Sequence, residues 1–273
     1  VEAKDYTGAI MSLLNMIRID PIHQKNLSLL VACNQEVGDP ALAVMSFEKI
    51  LESNPYDTFA LLNLGLALQR QGKNEKAIQK FKEALSIKSD YPEACYNLGN
   101  VLQKQGKLEE AEEAYKKALS IKPDYAEAYN NMGNAVRKQG KLEEAITVYK
   151  QVISMKPDTA LAYNNMGYAL IEQGKREEAT KAYTKAISIK PDLAEAYWNL
   201  SGTAENISEA KKWVKECLKA DPNHLNAKLI LSALKFYEGH KSEFNKMIKS
   251  SLKDNAYMRS FAWAFSLPKL PPL

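Results

Sequence analysis

Apolar side chains recur every three or four residues along nearly the whole chain, the spacing that puts one face of a helix against a core. No stretch alternates with the two-residue period of a strand, so the pattern predicts an all-α protein. In the segment 126–159, Tyr129, Met132, Gly133 and Val136 form the apolar side of one helix. A second helix is predicted from about Leu142 to Met155, with Ala145, Val148, Tyr149 and Val152 on its apolar side. Gly140 should close the first helix in the left-handed conformation. Pro157 should stop the second, and Asp158 or Thr159 can cap the helix that follows.

This two-helix text repeats. Pro21, Pro55, Pro123, Pro157 and Pro191 share a 34-residue grid, with Ser89 in the one gap. Gly38, Gly72, Gly106, Gly140 and Gly174 fall on it at another phase, as do Gly65, Gly99, Gly133 and Gly167, and Ala43, Ala77, Ala111, Ala145 and Ala179. Full pairs are read at 24–57, 58–91, 92–125, 126–159 and 160–193. A shortened pair at 194–224 has its deletion placed between helices, around residues 205–208, and a degenerate pair follows at 225–258. Residues 1–23 match only a second helix, and 259–273 form an aromatic, proline-rich capping or linker segment. A single pair cannot bury its own apolar face, so neighbouring pairs must stack.

The residues at Tyr129, Met132, Gly133, Ala145, Tyr149 and Pro157 resemble the tetratricopeptide repeat (TPR) motif, closely from about residue 24 to 222. The resemblance implies a right-handed superhelix, an α-α solenoid whose first helices line the concave face.

A further series on the grid is polar: Asn63, Asn97, Asn131, Asn165 and Asn199. Asparagine is a poor helix former, so these positions call for another reason. Each precedes a large apolar residue, which places it on the flank of its first helix, toward the neighbouring first helices. One reading is structural, a bond to the next repeat. The other is a ladder of amides that meets the main chain of an extended peptide, since a primary amide both donates and accepts. This resembles the asparagine ladder in the superhelix of O-linked N-acetylglucosamine transferase. Tyr96, Tyr168 and Trp198 would add apolar grip, and Asn100 and Asn134 further amides. Arg70, Lys104, Arg137 and Lys138 form a candidate basic patch facing an acidic peptide, or else cations placed at the negative poles of their helices. Leu62 and Tyr96 stand where the two-carboxylate clamp of chaperone-binding repeats needs a lysine, which argues against that clamp. Lys73, Lys107, Lys141 and Lys175 follow the turn glycines and should lie on solvated loops.

Charge and composition add little: 273 residues, 45% hydrophobic and a formal net charge of +4 mark no nucleic-acid or membrane partner. Cys33, Cys95 and Cys217 fit no metal or redox spacing and suit a cytoplasmic setting. Phosphate loops, dinucleotide fingerprints and metalloprotease helices are absent, and no cofactor or metal is expected. His23, His224 and His240 lie near turns with no obvious carboxylate or thiol companion, so surface or capping roles are expected of them. The paired glutamates 109–110 and 143–144 open second helices, where negative charge is favourable.

The expectation is therefore a non-enzymatic scaffold that takes a protein or peptide partner in its groove. Two alternatives are carried. One is the substrate-positioning arm of a larger enzyme, since residues 257–273 resemble the linker of bacterial repeat proteins with a methyltransferase-like domain. The other is a homo-oligomer formed through that same C-terminal segment.

Overall fold

The structure, a computed structural model, describes residues 6–19, 29–30 and 38–237. Among these residues every regular element is a helix: α1 (Tyr6–Ile19), α2 (Pro40–Ser53), α3 (Thr58–Arg70), α4 (Asn74–Ile87), α5 (Pro92–Lys104), α6 (Leu108–Ile121) and α7 (Ala126–Lys138), then α8 (Leu142–Met155), α9 (Ala160–Glu172), α10 (Arg176–Ile189), α11 (Ala194–Ser201), α12 (Ile207–Ala220) and α13 (Leu225–Tyr237). The fold class is an all-α hairpin solenoid. It divides into two compact units, Val1–Gly140 and Lys141–Leu273. Within each, consecutive helices pack on one another and alternate helices also touch: α3 on α5 and α5 on α7 in the first unit, α9 on α11 in the second. The readings for His23, Cys33, His240 and the segment 257–273 lie outside the described residues.

The two glycine series do different work. Gly72 has φ +77°; its N–H donates to the Gln69 carbonyl and that of Lys73 to Leu68, which closes α3 in a Schellman turn. The other series makes room. A β-carbon on Gly99 would stand 2.6 Å from the Tyr115 ring, one on Gly65 2.5 Å from Phe81, and one on Gly167 2.7 Å from Tyr183. Phe81, Tyr115, Tyr149 and Tyr183 are all buried, as are Ala77, Ala111, Ala145 and Ala179. In three hairpins, then, the large ring of the second helix lies on the bare backbone of the first.

Two local expectations need correction. Thr159 occupies the cap position of α9, but its side chain makes no capping bond; its carbonyl accepts from Ala162 and Tyr163 instead. In the shortened repeat the deletion falls in the helix rather than between helices. First helix α11 has 8 residues where α9 has 13, and its connection to the second helix is longer than in the full repeats. Gly202 stands where α11 would have to continue, and glycine weakens a helix interior.

Burial also sets the chemistry of the thiols. It pushes Cys217 up to about 12, aided by Glu195 and then Asp221, and it raises Cys95 as well. In a Cys33→Ser background, a disulfide reagent at pH 8 is expected to leave both thiols unmodified until denaturant is added, because the reactive thiolate is scarce and covered. Stoichiometric reaction in the native protein would contradict this burial.

Candidate functional site

In the first unit, helices α3, α5 and α7 lie side by side and carry Asn63, Asn97 and Asn131 in register; in the second, α9 and α11 carry Asn165 and Asn199. All five side chains belong to half-buried residues. Their hydrogen bonds follow from what the preceding first helix offers. Asn131 Nδ2 donates to the Tyr96 hydroxyl at 3.0 Å and to Asn100 Oδ1 at 2.9 Å. Asn199 Nδ2 donates to Asn164 Oδ1 at 3.0 Å. Where Asn97 would meet the same two positions one repeat earlier, the chain has Leu62 and Leu66. Its amide turns back to the Glu93 carbonyl of its own helix, 2.8 Å away, and Asn63 does the same with Phe59, also at 2.8 Å.

The structural role anticipated for these asparagines is thus visible at Asn131 and Asn199, which tie one first helix to the previous one. It does not exhaust them. A carboxamide has two N–H groups and an oxygen that accepts twice. In Asn63, Asn97, Asn131 and Asn199 the bonds run through Nδ2, and Oδ1 has no partner among the described residues. A row of acceptors remains on a half-exposed surface.

Around Asn131 a network forms that the sequence reading missed. The Tyr115 hydroxyl lies 2.8 Å from both Asn100 Oδ1 and Gln103 Oε1, and its single proton serves them in turn. Asn100 therefore accepts from Asn131 and, in turn with Gln103, from Tyr115. The Tyr96 ring packs 4.9 Å from Tyr125 and 6.1 Å from Tyr115, centroid to centroid. Burial holds the Tyr115 phenol well above its ordinary range, so it stays a donor. The available signal was the grid itself, which puts a hydroxyl on three of the five second-helix rings, Phe47, Phe81, Tyr115, Tyr149 and Tyr183.

Asn134 is half-buried on α7. On α9, Tyr168 is exposed, as are Leu161 and Ile171; at helical spacing these three make an apolar stripe on the face that is polar in α7. The near-continuous apolar text of α9 was the sign. Trp198 is half-buried against the cluster of Val214, Cys217, Ala227, Ile230 and Leu234, so only part of its ring faces outward. Arg70, Lys104 and Lys138 are exposed at the ends of α3, α5 and α7, and Arg137 is half-buried. Lys73, Lys107, Lys141 and Lys175 are exposed at the starts of second helices.

His224 does have a carboxylate companion, contrary to expectation. Its Nε2 is 3.2 Å from Glu195 Oε2, a residue on another helix, which spacing along the chain conceals. Nδ1 accepts from the Ala227 N–H at 3.2 Å, the capping role anticipated for it, and the ring lies 5.4 Å from Trp198. Among the described residues no cluster of histidine, cysteine and carboxylate side chains could hold a metal ion, and no helix is long and apolar enough to cross a membrane.

Sequence profiles described as tetratricopeptide repeat match residues 90–158 and 46–79, and one described as TPR repeat matches 65–106 and 167–201. Together they take in more than half of the chain. No curated protein sequence matches it. Among solved structures, MamA is 29% identical over 59% of this chain and 95% of its own, with a TM-score of 0.55. YrrB, described as a TPR protein with an unusual peptide-binding site, is 23% identical over 68% of this chain and 97% of its own, at 0.54. Cut9, in its complex with Hcn1, is 14% identical over 95% of this chain and 52% of its own, at 0.67.

Proposed function

Because the chain belongs to the tetratricopeptide repeat family, a family of protein-interaction scaffolds, we propose that its first-helix faces receive an extended segment of a partner protein and that the protein itself performs no catalysis. The observation that carries this reading is the row of open Oδ1 acceptors on Asn63, Asn97 and Asn131, repeated at Asn199. Each can accept a main-chain N–H, a net contribution of about 0.5–1.5 kcal/mol per bond. In the second unit the exposed Leu161, Tyr168 and Ile171 supply the apolar contacts that main-chain bonding lacks, so discrimination between partners comes from there and from the charges of the first unit. YrrB, which shares the fold, supplies a precedent for a peptide-binding site on it.

Asn63 and Asn97 are the sound probes, since each amide bonds only its own helix, whereas Asn131→Ala also strands Tyr96 and Asn100. On a peptide array, Asn63→Ala and Asn97→Ala are each expected to weaken binding of captured peptides by about 1 kcal/mol, some fivefold, with thermal unfolding nearly unchanged. Captured peptides that bind the double variant as well as the parent would refute the ladder.

A further inference from the structure

Seven residues separate Asn63 from Arg70, Asn97 from Lys104 and Asn131 from Lys138. Seven residues are two helical turns less about 20°, so each cation lies on the same face as its asparagine, about 10 Å toward the helix C-terminus. The first unit therefore carries two parallel rows, one of amides and one of cations. All three cations are exposed, and none pairs with a carboxylate among the described residues. In the second unit the position is reversed in sign at Glu172, and in the shortened repeat α11 ends at Ser201 before the position is reached.

Helices in contact stand about 8–10 Å apart, and α3, α5 and α7 touch in series, so a step of about that size is expected between successive cations. A polyproline II chain has three residues per turn and rises about 3.1 Å per residue, so every third side chain projects on one edge at intervals of about 9.3 Å. The two periods agree. We propose that the first unit binds an acidic, extended protein segment bearing Asp or Glu at every third residue, its main chain on the amide row and its carboxylates on Arg70, Lys104 and Lys138. The inference rests on the groove reading above and names the partner's chemistry. A polypeptide is favoured over a nucleic acid because the amide row leaves open an acceptor on each of Asn63, Asn97 and Asn131 and a second N–H on Asn63 and Asn97: a peptide main chain offers both a donor and an acceptor, and a phosphodiester backbone has no donor to offer.

The test uses the full chain and three fluorescent 15-residue peptides: five Glu-Ala-Pro triplets, the same composition with its glutamates in one block, and five Gln-Ala-Pro triplets. Residues before proline are held extended. Anisotropy at 50 and 200 mM salt is expected to show the triplet acid binding at least tenfold more tightly than the other two, with the gap shrinking at the higher salt. The variant Arg70→Glu/Lys104→Glu/Lys138→Glu should lose at least a hundredfold in affinity for it. Lys73→Glu/Lys107→Glu, equal in kind but off the face, should lose less than twofold, and circular dichroism checks that both fold. Equal binding of the triplet and block acids, equal losses in the two variants, or equal competition by an oligothymidylate would each overturn the proposal. If the glutamine peptide binds as well as the acid, the charge register fails and the amide ladder stands; if no peptide binds, both fail.

Discussion

Alanine at position 115 is expected to destabilise the first unit by about 3–5 kcal/mol, the range for removing a large buried ring, with about 1 kcal/mol more for the donor lost to Asn100 and Gln103. Tyr115 is fully buried, and its ring occupies the space that Gly99 leaves by having no side chain. Phenylalanine should cost only about 1 kcal/mol, because Phe81 fills the equivalent place over Gly65 without a hydroxyl. Gly99→Ala is opposed by the 2.6 Å approach to the ring, about 1–3 kcal/mol of overpacking, and assisted by about 1 kcal/mol of helix propensity. The two sites must therefore couple: with alanine at 115, Gly99→Ala should turn neutral or stabilising. Hydrogen exchange gives the local readout, since repeats interact with their nearest neighbours. Protection should fall in α5 and α6 and hold in α12. Additive effects in the double-mutant cycle would show that ring and glycine do not touch.

That pairing also marks how far the sequence could be read. The glycines at 72 and 99 lie on one 34-residue grid, and their neighbours separate them: one ends an apolar run and the other interrupts it. Helix ends were legible for the same reason, as α8 spans Leu142–Met155, the extent its apolar spacing predicts. Less legible was what a polar side chain does at a shared position. Asn97 and Asn131 are equivalent on the grid, yet one bonds its own helix and the other its neighbour. The difference is made by residues 31 and 35 positions earlier, Leu66 and Leu62 for one, Asn100 and Tyr96 for the other. A rule of that form can be read from sequence once the stacking register is known, and not before. His224 and Glu195 were hidden by the same ignorance of which turns meet. The site's chemistry shares this limit: composition locates the amides, and only their bonding shows that every bond runs through the nitrogen and leaves the oxygens open.

In the shortened repeat, loss of one side chain should have a comparable effect: Arg176→Ala is expected to cost about 2–4 kcal/mol, as charge-assisted hydrogen bonds contribute about 1.5–3 kcal/mol and two carbonyls lose their donor here. In two of the complete repeats a glutamine at the end of the first helix ties it to the preceding hairpin. Gln105 Nε2 donates to Glu75 at 2.7 Å, and Gln139 Nε2 to Glu112 at 2.8 Å. The deletion removes this glutamine from the short repeat; the last carbonyls of α11 take the N–H groups of Gly202, Thr203 and Ala204, and the carbonyls of Thr203 and Ala204 in the connection are left to find another donor. Arg176, at the start of α10, closes the gap from the other side: Nε donates to the Thr203 carbonyl at 3.1 Å and an Nη to that of Ala204. Its guanidinium borders a cleft of about 910 Å³, floored by Ile207, Ile230 and Leu234, where the missing turn of helix would lie. Lysine at 176 should recover less than half of the loss, since an ammonium cannot reproduce the planar fork that meets two carbonyls together. The decisive background replaces residues 202–206 with a copy of residues 168–175, which restores the full turn and its glutamine. There, Arg176→Ala should cost under about 1 kcal/mol, in the range of an ordinary surface change. An undiminished cost in that graft would mean that the arginine stabilises α10 alone, and that its bonds to the Thr203 and Ala204 carbonyls contribute nothing.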